Sequence, residues 1–259
     1  MTAANVEDVR VGAAILGGGE TKGDLRAEGG AQHKALIEVG GKTMLRWTIE
    51  VAHQAQTVST IVVVRAPGSP LTEEHTLGER IVEAAVDSPT DSIVAGFQAL
   101  QDCDRVLLWA ADSPLVRAPE VDDFVRRSLA TGADCCYPVI RKAVVVRAYP
   151  SAQRTFVKLK DGWYTSGNLA LFASDFMATR EPHIRRAFDA RKSPVRMSMM
   201  FGPLLAFKFL TGFCSIDDLC RRAEHMLKCK FAVIELTDAA LGMDVDKASD
   251  LRTVRALMR

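Results

Sequence analysis

Several common signatures are missing. Six cysteines (Cys103, Cys135, Cys136, Cys214, Cys220, Cys229) make no C-x-x-C pair, and five histidines make no H-x-x-x-H pair. That argues against a zinc site or a disulfide framework and makes a reducing cytoplasm the default expectation. An excess of one charge is missing too: 33 Lys and Arg face 32 Asp and Glu, a net charge of +1. Nothing therefore favours broad nucleic-acid binding. No uninterrupted apolar run reaches membrane-spanning length, and the opening MTAANVEDVR lacks the apolar core of a signal peptide. There is no internal repeat or low-complexity tract. What remains is ordinary globular composition, 48% hydrophobic and 25% charged over 259 residues. That is enough for one large domain.

The richest segment is 11–45, VGAAILGGGETKGDLRAEGGAQHKALIEVGGKTML. An apolar strand runs into Gly17-Gly18-Gly19, a polar loop, then Lys34. Glycines let a backbone approach an anion closely or adopt positive φ. Neither familiar phosphate loop fits. A Walker A loop ending at Gly41-Lys42-Thr43 would need glycine where Leu36 stands. A dinucleotide fingerprint starting at Gly17 would need glycine at Lys22, and 21–32 holds too many glycines for the required helix. An ordinary tight βα turn would use the same residues.

Around this loop, strands and helices alternate. Strands are expected at 11–16, 60–64, 105–110 and 133–139, with helices at 43–54, 91–100 and 119–130. The alternation argues for a largely parallel sheet with helices on both faces. Residues 141–164 read as irregular, 165–172 as partly strand, and 175–230 as helical. A late strand at 231–235 and a helix at 249–258 close the chain. One domain over 1–259 is expected, with 141–230 as an acceptor-side helical insertion.

Two acidic motifs stand apart from the loop. Asp112 follows a buried strand in Asp112-Ser-Pro, at the sheet edge where ligands bind, although Asp and Pro also make turns. Asp244 and Asp246 point the same way if their segment is extended. Asp250 or Ser249 is expected to cap the last helix. A magnesium ion takes oxygen ligands and keeps substrate phosphates in its shell. Asp112 with Asp244 or Asp246 would hold Mg²⁺ against a nucleoside triphosphate, while Lys34, with Lys22 or Arg26, would neutralise departing pyrophosphate. Ser92 either caps its helix, the safer reading, or touches a nucleobase or ribose.

In this order, strand, Gly-Gly-Gly, Lys34, Gly40-Gly41-Lys42, Asp112-Ser-Pro, then Gly-Met-Asp-Val-Asp-Lys-Ala-Ser-Asp-Leu, the chain resembles the MobA-like nucleotidyltransferases. The resemblance implies a Rossmann-like α/β fold of the glycosyltransferase-A (nucleotide-diphospho-sugar transferase) type. It implies transfer of a nucleotidyl group from an NTP to a phosphorylated small-molecule acceptor, releasing pyrophosphate with Mg²⁺. Leu16, Gly17, Gly18 and Gly19 would bind nucleotide and Lys34 would act on it. Asp112 and Asp244, with Asp246 close by, would be metal ligands. Gly167 and Asn168 match the acceptor turn. Where the family usually carries an arginine after its glycines, this chain reads Glu20-Thr-Lys-Gly-Asp-Leu-Arg26. Two competitors are a nucleotide-sugar glycosyltransferase, disfavoured because Asp112-Ser-Pro is no D-x-D, and a nucleotide-binding regulator without turnover.

The middle of the chain is basic: Arg141, Lys142, Arg147, Arg154, Lys158 and Lys160, then Arg185, Arg186, Arg191 and Lys192. Such a run is either a solvated surface or a pocket for an anionic acceptor, with Lys158 as the candidate contact. Residues 197–213 are apolar but interrupted. Their Met and Phe content favours a core or lid helix over a dimer contact or a peripheral membrane contact.

Overall fold

A computed structural model describes residues 8–86, 88–190 and 202–258. In chain order it has β1 (Val11–Leu16), α1 (Gly23–Gly29), a small hairpin of β2 (Glu38–Val39) and β3 (Lys42–Thr43), α2 (Met44–Gln54), β4 (Thr60–Arg65) and β5 (Arg80–Glu83). Then come α3 (Pro89–Ala99), β6 (Arg105–Ala110), α4 (Ala118–Thr131), β7 (Cys135–Arg141), α5 (Lys142–Ala148), β8 (Val157–Leu159), β9 (Gly162–Ser166) and β10 (Leu169–Ala173). The chain continues with α6 (Phe176–Ala190), α7 (Pro203–Leu210), α8 (Ile216–Leu227), β11 (Phe231–Leu236) and α9 (Ala248–Leu257).

Nine strands make one mixed, mostly parallel sheet in the order β5-β4-β1-β6-β10-β7-β9-β8, with β11 also on β7. β5, β4, β1 and β6 run parallel, as do β7 and β11. β10 lies antiparallel between β6 and β7. β1 is flanked by β4 on one side and β6 on the other, so successive connections leave in opposite directions. The crevice beyond the carboxyl ends of β1 and β6 is therefore a topological switch point, where open α/β sheets bind ligands.

The sheet is buried on both faces, as parallel sheets require. Along β1, Val11, Ala13 and Ile15 enter one core layer and Ala14 the other. Along β6, Leu107 and Trp109 join the first layer, and Val106 and Leu108 the second. Residues of α2 and α4 fill the first layer and residues of α3 and α6 the second. The helix α3 starts cleanly: the Ser88 hydroxyl accepts from the Asp91 N–H, and Pro89 follows in the first turn.

Several local expectations need correction. α1 forms within 21–32 because its glycines lie at its ends: Gly30 ends the helix at φ 70°, a left-handed cap that favours glycine. The stretch 141–164 is not irregular; it holds α5, β8 and β9. Ser88, not Ser92, caps α3; the Ser92 hydroxyl donates to the Ser88 carbonyl. Lys247 is the N-cap of α9, and the Asp250 carboxylate accepts from the Asp246 and Lys247 N–H groups. Of the segment 197–213, residues 197–201 lie outside the described residues, as do Arg191 and Lys192. The remainder contains α7, which buries none of its residues, so a core role is wrong for it. No described helix is long and apolar enough to cross a membrane.

The helix α3 approaches β1 closely at Gly96, where a Cβ would stand 2.8 Å from the Ala14 methyl. Gly96→Val is expected to lower stability by about 1–3 kcal/mol through overpacking, read as a reduced urea midpoint at unchanged m.

Candidate active site

β1 and β6 pair in register up to Leu16 and Ala110, so the loops that follow them emerge side by side. The Ala111 N–H donates to the Leu16 carbonyl at 3.2 Å and locks the two exits together. From the first exit comes Gly17-Gly18-Gly19. A Cβ on Gly17 would meet Leu71 at 2.8 Å, and one on Gly18 would meet the Ala66 nitrogen at 3.1 Å. Gly17 and Gly18 are thus closely approached, and neither has the positive φ that occurs at Gly23 and Gly30. At Gly19 a Cβ would meet nothing within 4 Å.

The polar loop then leaves, forms α1, and returns. The Thr21 N–H donates to the Gln32 carbonyl, and Glu20 bridges His33. The Lys34 N–H donates to the Gly19 carbonyl at 2.9 Å. The excursion is thus closed at its base, and Lys34 stands against the third glycine despite the sequence distance. A cleft of about 670 Å³ results, lined by Leu16, the three glycines, Lys22, Lys34, Ser92 and Asp112, among others.

Lys34 is the hub. Its Nζ donates to Asp112 Oδ2 at 2.8 Å and to Asp246 Oδ1 at 2.5 Å. Burial by itself would lower its pKa; the charge of Asp112 and hydrogen bonds to both carboxylates more than offset this and hold it above the ordinary lysine value. Asp112, Asp244 and Asp246 each offer an oxygen within 4.8 Å of the others. The late segment is pinned beside β6 by the Val245 N–H, which donates to the Asp112 carbonyl at 3.0 Å. Arg154 closes the group, donating to the Asp244 carbonyl at 3.0 Å and to its carboxylate.

The turn between β9 and β10 completes the centre. A Cβ on Gly167 would meet Pro138 at 2.9 Å and the Leu241 carbonyl at 3.3 Å, so only glycine fits. The Asn168 Nδ2 donates to the Ser113 hydroxyl at 2.9 Å, beside Asp112. A second cleft, of about 710 Å³, begins here and is lined by Arg154, Thr155, Asn168, Asp244 and Asp246 with an apolar far wall. The carboxylates therefore lie between two clefts.

The structure brings together Leu16, Gly17, Gly18, Gly19, Lys34, Ser92, Asp112, Asn168, Asp244 and Asp246, with Gly167 shaping the turn. Lys22 lines the first cleft, whereas Arg26 is exposed on α1 and lines neither cleft. Lys158 stands 6.0 Å from the Trp163 ring, and its neighbours Val157 and Leu159 line the second cleft without it. Arg141 and Arg185 are engaged by Glu235 and Asp91. Sequence reasoning missed Ser113 and named Arg154 only as one member of the basic run. Ser113 was signalled by its place next to Asp112; Arg154 carried no signal beyond membership of a basic run.

The profile of the MobA-like NTP transferase domain matches residues 13–193. The chain belongs to that family. A 2-C-methyl-D-erythritol 4-phosphate cytidylyltransferase from Rhodococcus jostii (strain RHA1) is 32% identical over 109 residues, which are 41% of this chain and 47% of that protein. The chain thus spans about half the length of that curated relative. A solved structure of a hypothetical transferase from Thermus thermophilus is 27% identical and superposes with a TM-score of 0.79, covering 93% of this chain and 99% of that one. A nucleotidyl transferase from Methanothermobacter thermautotrophicus, 18% identical, covers 96% of this chain and 97% of its own with a TM-score of 0.58, and shares the fold. In this MobA-like protein the family match ends before Asp244, so the late carboxylates join the site by geometry alone.

Both partners in the Arg154–Asp244 pair are nearly nine-tenths buried. Arg154→Ala is expected to cost about 3 kcal/mol, because it strands a buried carboxylate. Asp244→Asn in the same background should recover part of that loss in a double-mutant cycle of urea midpoints.

Proposed function

We propose that this protein is a Mg²⁺-dependent nucleotidyltransferase that joins a nucleoside monophosphate from an NTP to a phosphorylated small molecule and releases pyrophosphate. The observation that carries the reading is the position of three carboxylates between two clefts, one floored by a glycine loop and the other holding Arg154. The donor set suits magnesium: three close carboxylates supply hard oxygen ligands, and the Lys34 ammonium between Asp112 and Asp246 already marks a place for positive charge. When bound, the ion would neutralise the triphosphate and polarise the phosphoryl oxygens.

The chain's own residues would do the rest. The Gly18 and Gly19 N–H groups would receive the phosphates, the Gly17 N–H being taken by the Val64 carbonyl. Lys34 and Lys22, both on the wall of that cleft, offset the charge that builds on the leaving pyrophosphate. Ser92, on the same wall, would meet the nucleoside. The Asn168–Ser113 contact holds the loop of Asp112 in place. In the second cleft Arg154 and Thr155 receive the acceptor phosphate. An acceptor oxygen forms a bond to the α-phosphorus, and the bond to the β-phosphate oxygen breaks with its electron pair leaving on pyrophosphate. The acceptor is already anionic, so no strong base is needed, and positioning and charge neutralisation supply the rate.

The test is pyrophosphate release with each of four NTPs and Mg²⁺ against a panel of phosphorylated metabolites. Release that needs one NTP and one acceptor is expected, and Asp112→Asn should lower kcat by roughly a hundredfold or more. Full turnover in that variant would remove Asp112 from the metal site. Absence of both release and NTP-induced thermal stabilisation would overturn the reading.

A further inference from the structure

The second cleft is not polar throughout. Near the carboxylates its wall is Arg154, Thr155, Ser166 and Asn168, which suit a phosphate. Farther out the lining is apolar, with Val139, Val157 and Leu159 from the sheet facing Leu219, Ala223 and Met226 of α8. This helix is strongly amphipathic, yet none of its residues is buried. An amphipathic helix ordinarily sinks its apolar face into the core, since that burial is what stabilises it. Here the face lines a cleft that opens beside the reaction centre. Leu205 of α7 packs with Leu219 against Leu159 and Tyr164, so the preceding helix lies beside α8 without lining the cleft. That helix leaves Leu204, Phe207 and Leu210 at least 63% exposed.

We propose that the acceptor is a phosphorylated amphiphile, a phosphate monoester carrying a hydrocarbon group, and that α8 provides the seat for that group. The inference rests on the nucleotidyltransferase reading for the role of the cleft. The geometry supplies the match from both ends: cationic and hydrogen-bonding groups at the carboxylates, and aliphatic side chains along the exit. A fully hydroxylated sugar phosphate would find no hydrogen-bonding side chain at Leu219, Ala223 and Met226 and would gain nothing from that wall. A hydrocarbon group would instead cover the part of that apolar face that lines the cleft, at Leu219, Ala223 and Met226. The exposed apolar residues of α7, the helix next to α8, fit an acceptor delivered from a lipid surface as well as a free one.

Calorimetric titration of octyl phosphate, below its aggregation concentration, against glycerol 3-phosphate decides the matter without requiring turnover. The wild-type chain, with Mg²⁺ and a non-hydrolysable NTP, is expected to bind octyl phosphate roughly tenfold or more tightly. Met226→Glu should abolish that preference while leaving NTP binding unchanged. Equal binding of the two phosphates, binding of neither, or an unaltered preference in Met226→Glu would overturn the inference. A halved mass for Met226→Glu in light scattering would also overturn it, by assigning the face to a second copy of the chain. Loss of the preference with NTP binding intact in the wild type would leave the nucleotidyltransferase reading standing; failure of NTP to bind would strike that reading instead. Co-sedimentation with vesicles containing phosphatidic acid, lost in Phe207→Glu, would locate the amphiphile in a bilayer. Octyl phosphate binding without co-sedimentation would locate it in solution.

Discussion

Everything at this centre depends on balancing three carboxylates held within 4.8 Å of one another. At that separation two like charges repel by roughly 3–4 kcal/mol for an effective dielectric constant near 20. Three of them cannot be held together by backbone geometry unless positive charge is supplied. Lys34 supplies it to Asp112 and Asp246, and Arg154 to Asp244. The cations come from opposite ends of the fold, one from the loop after β1 and the other from the stretch between α5 and β8. The site is therefore the point at which four chain segments are tied by charge. One negative charge is left over from this pairing, which is the electrostatic basis for the proposed cation.

The sheet and local hydrogen bonds fix the backbones of these segments, and the ion pairs hold their side chains together. β1 and β6 are adjacent and parallel, and their exits are tied by a backbone hydrogen bond. The late segment is fixed by Val245 on the Asp112 carbonyl and by Asp250 on the N–H groups of Asp246 and Lys247. Side chains are thus presented on stiff supports, which is what a site that acts by positioning needs.

Much of this was legible in the sequence because it is local. The β-branched run at Ile61–Val64 and the apolar runs that became β1 and β6 are continuous strands, buried on both faces. The glycine triplet and Asp112 sit at strand ends, and strand ends in such sheets are ligand edges. Other features were hidden because their causes are not local. α1 was missed because its glycines mark a helix end rather than break a helix. β5 is a short edge strand whose apolar run is only Ile81-Val82, flanked by Arg80 and Glu83. β10 enters the middle of the sheet antiparallel, which no periodicity announces. Arg154 meets Asp244 across 90 positions of sequence, and only the folded chain shows that this basic residue is committed while Lys158 beside it stays outside.

The central claim is that the three carboxylates hold a divalent ion against a triphosphate lying on the glycine loop. A crystal of the protein soaked with NTP and Mn²⁺, measured at the manganese absorption edge, tests it most directly. The account predicts one or more anomalous peaks bonded to oxygens of Asp112, Asp244 or Asp246, with triphosphate density over Gly17, Gly18 and Gly19. Manganese bound elsewhere, or a triphosphate seated away from these glycines, would contradict it.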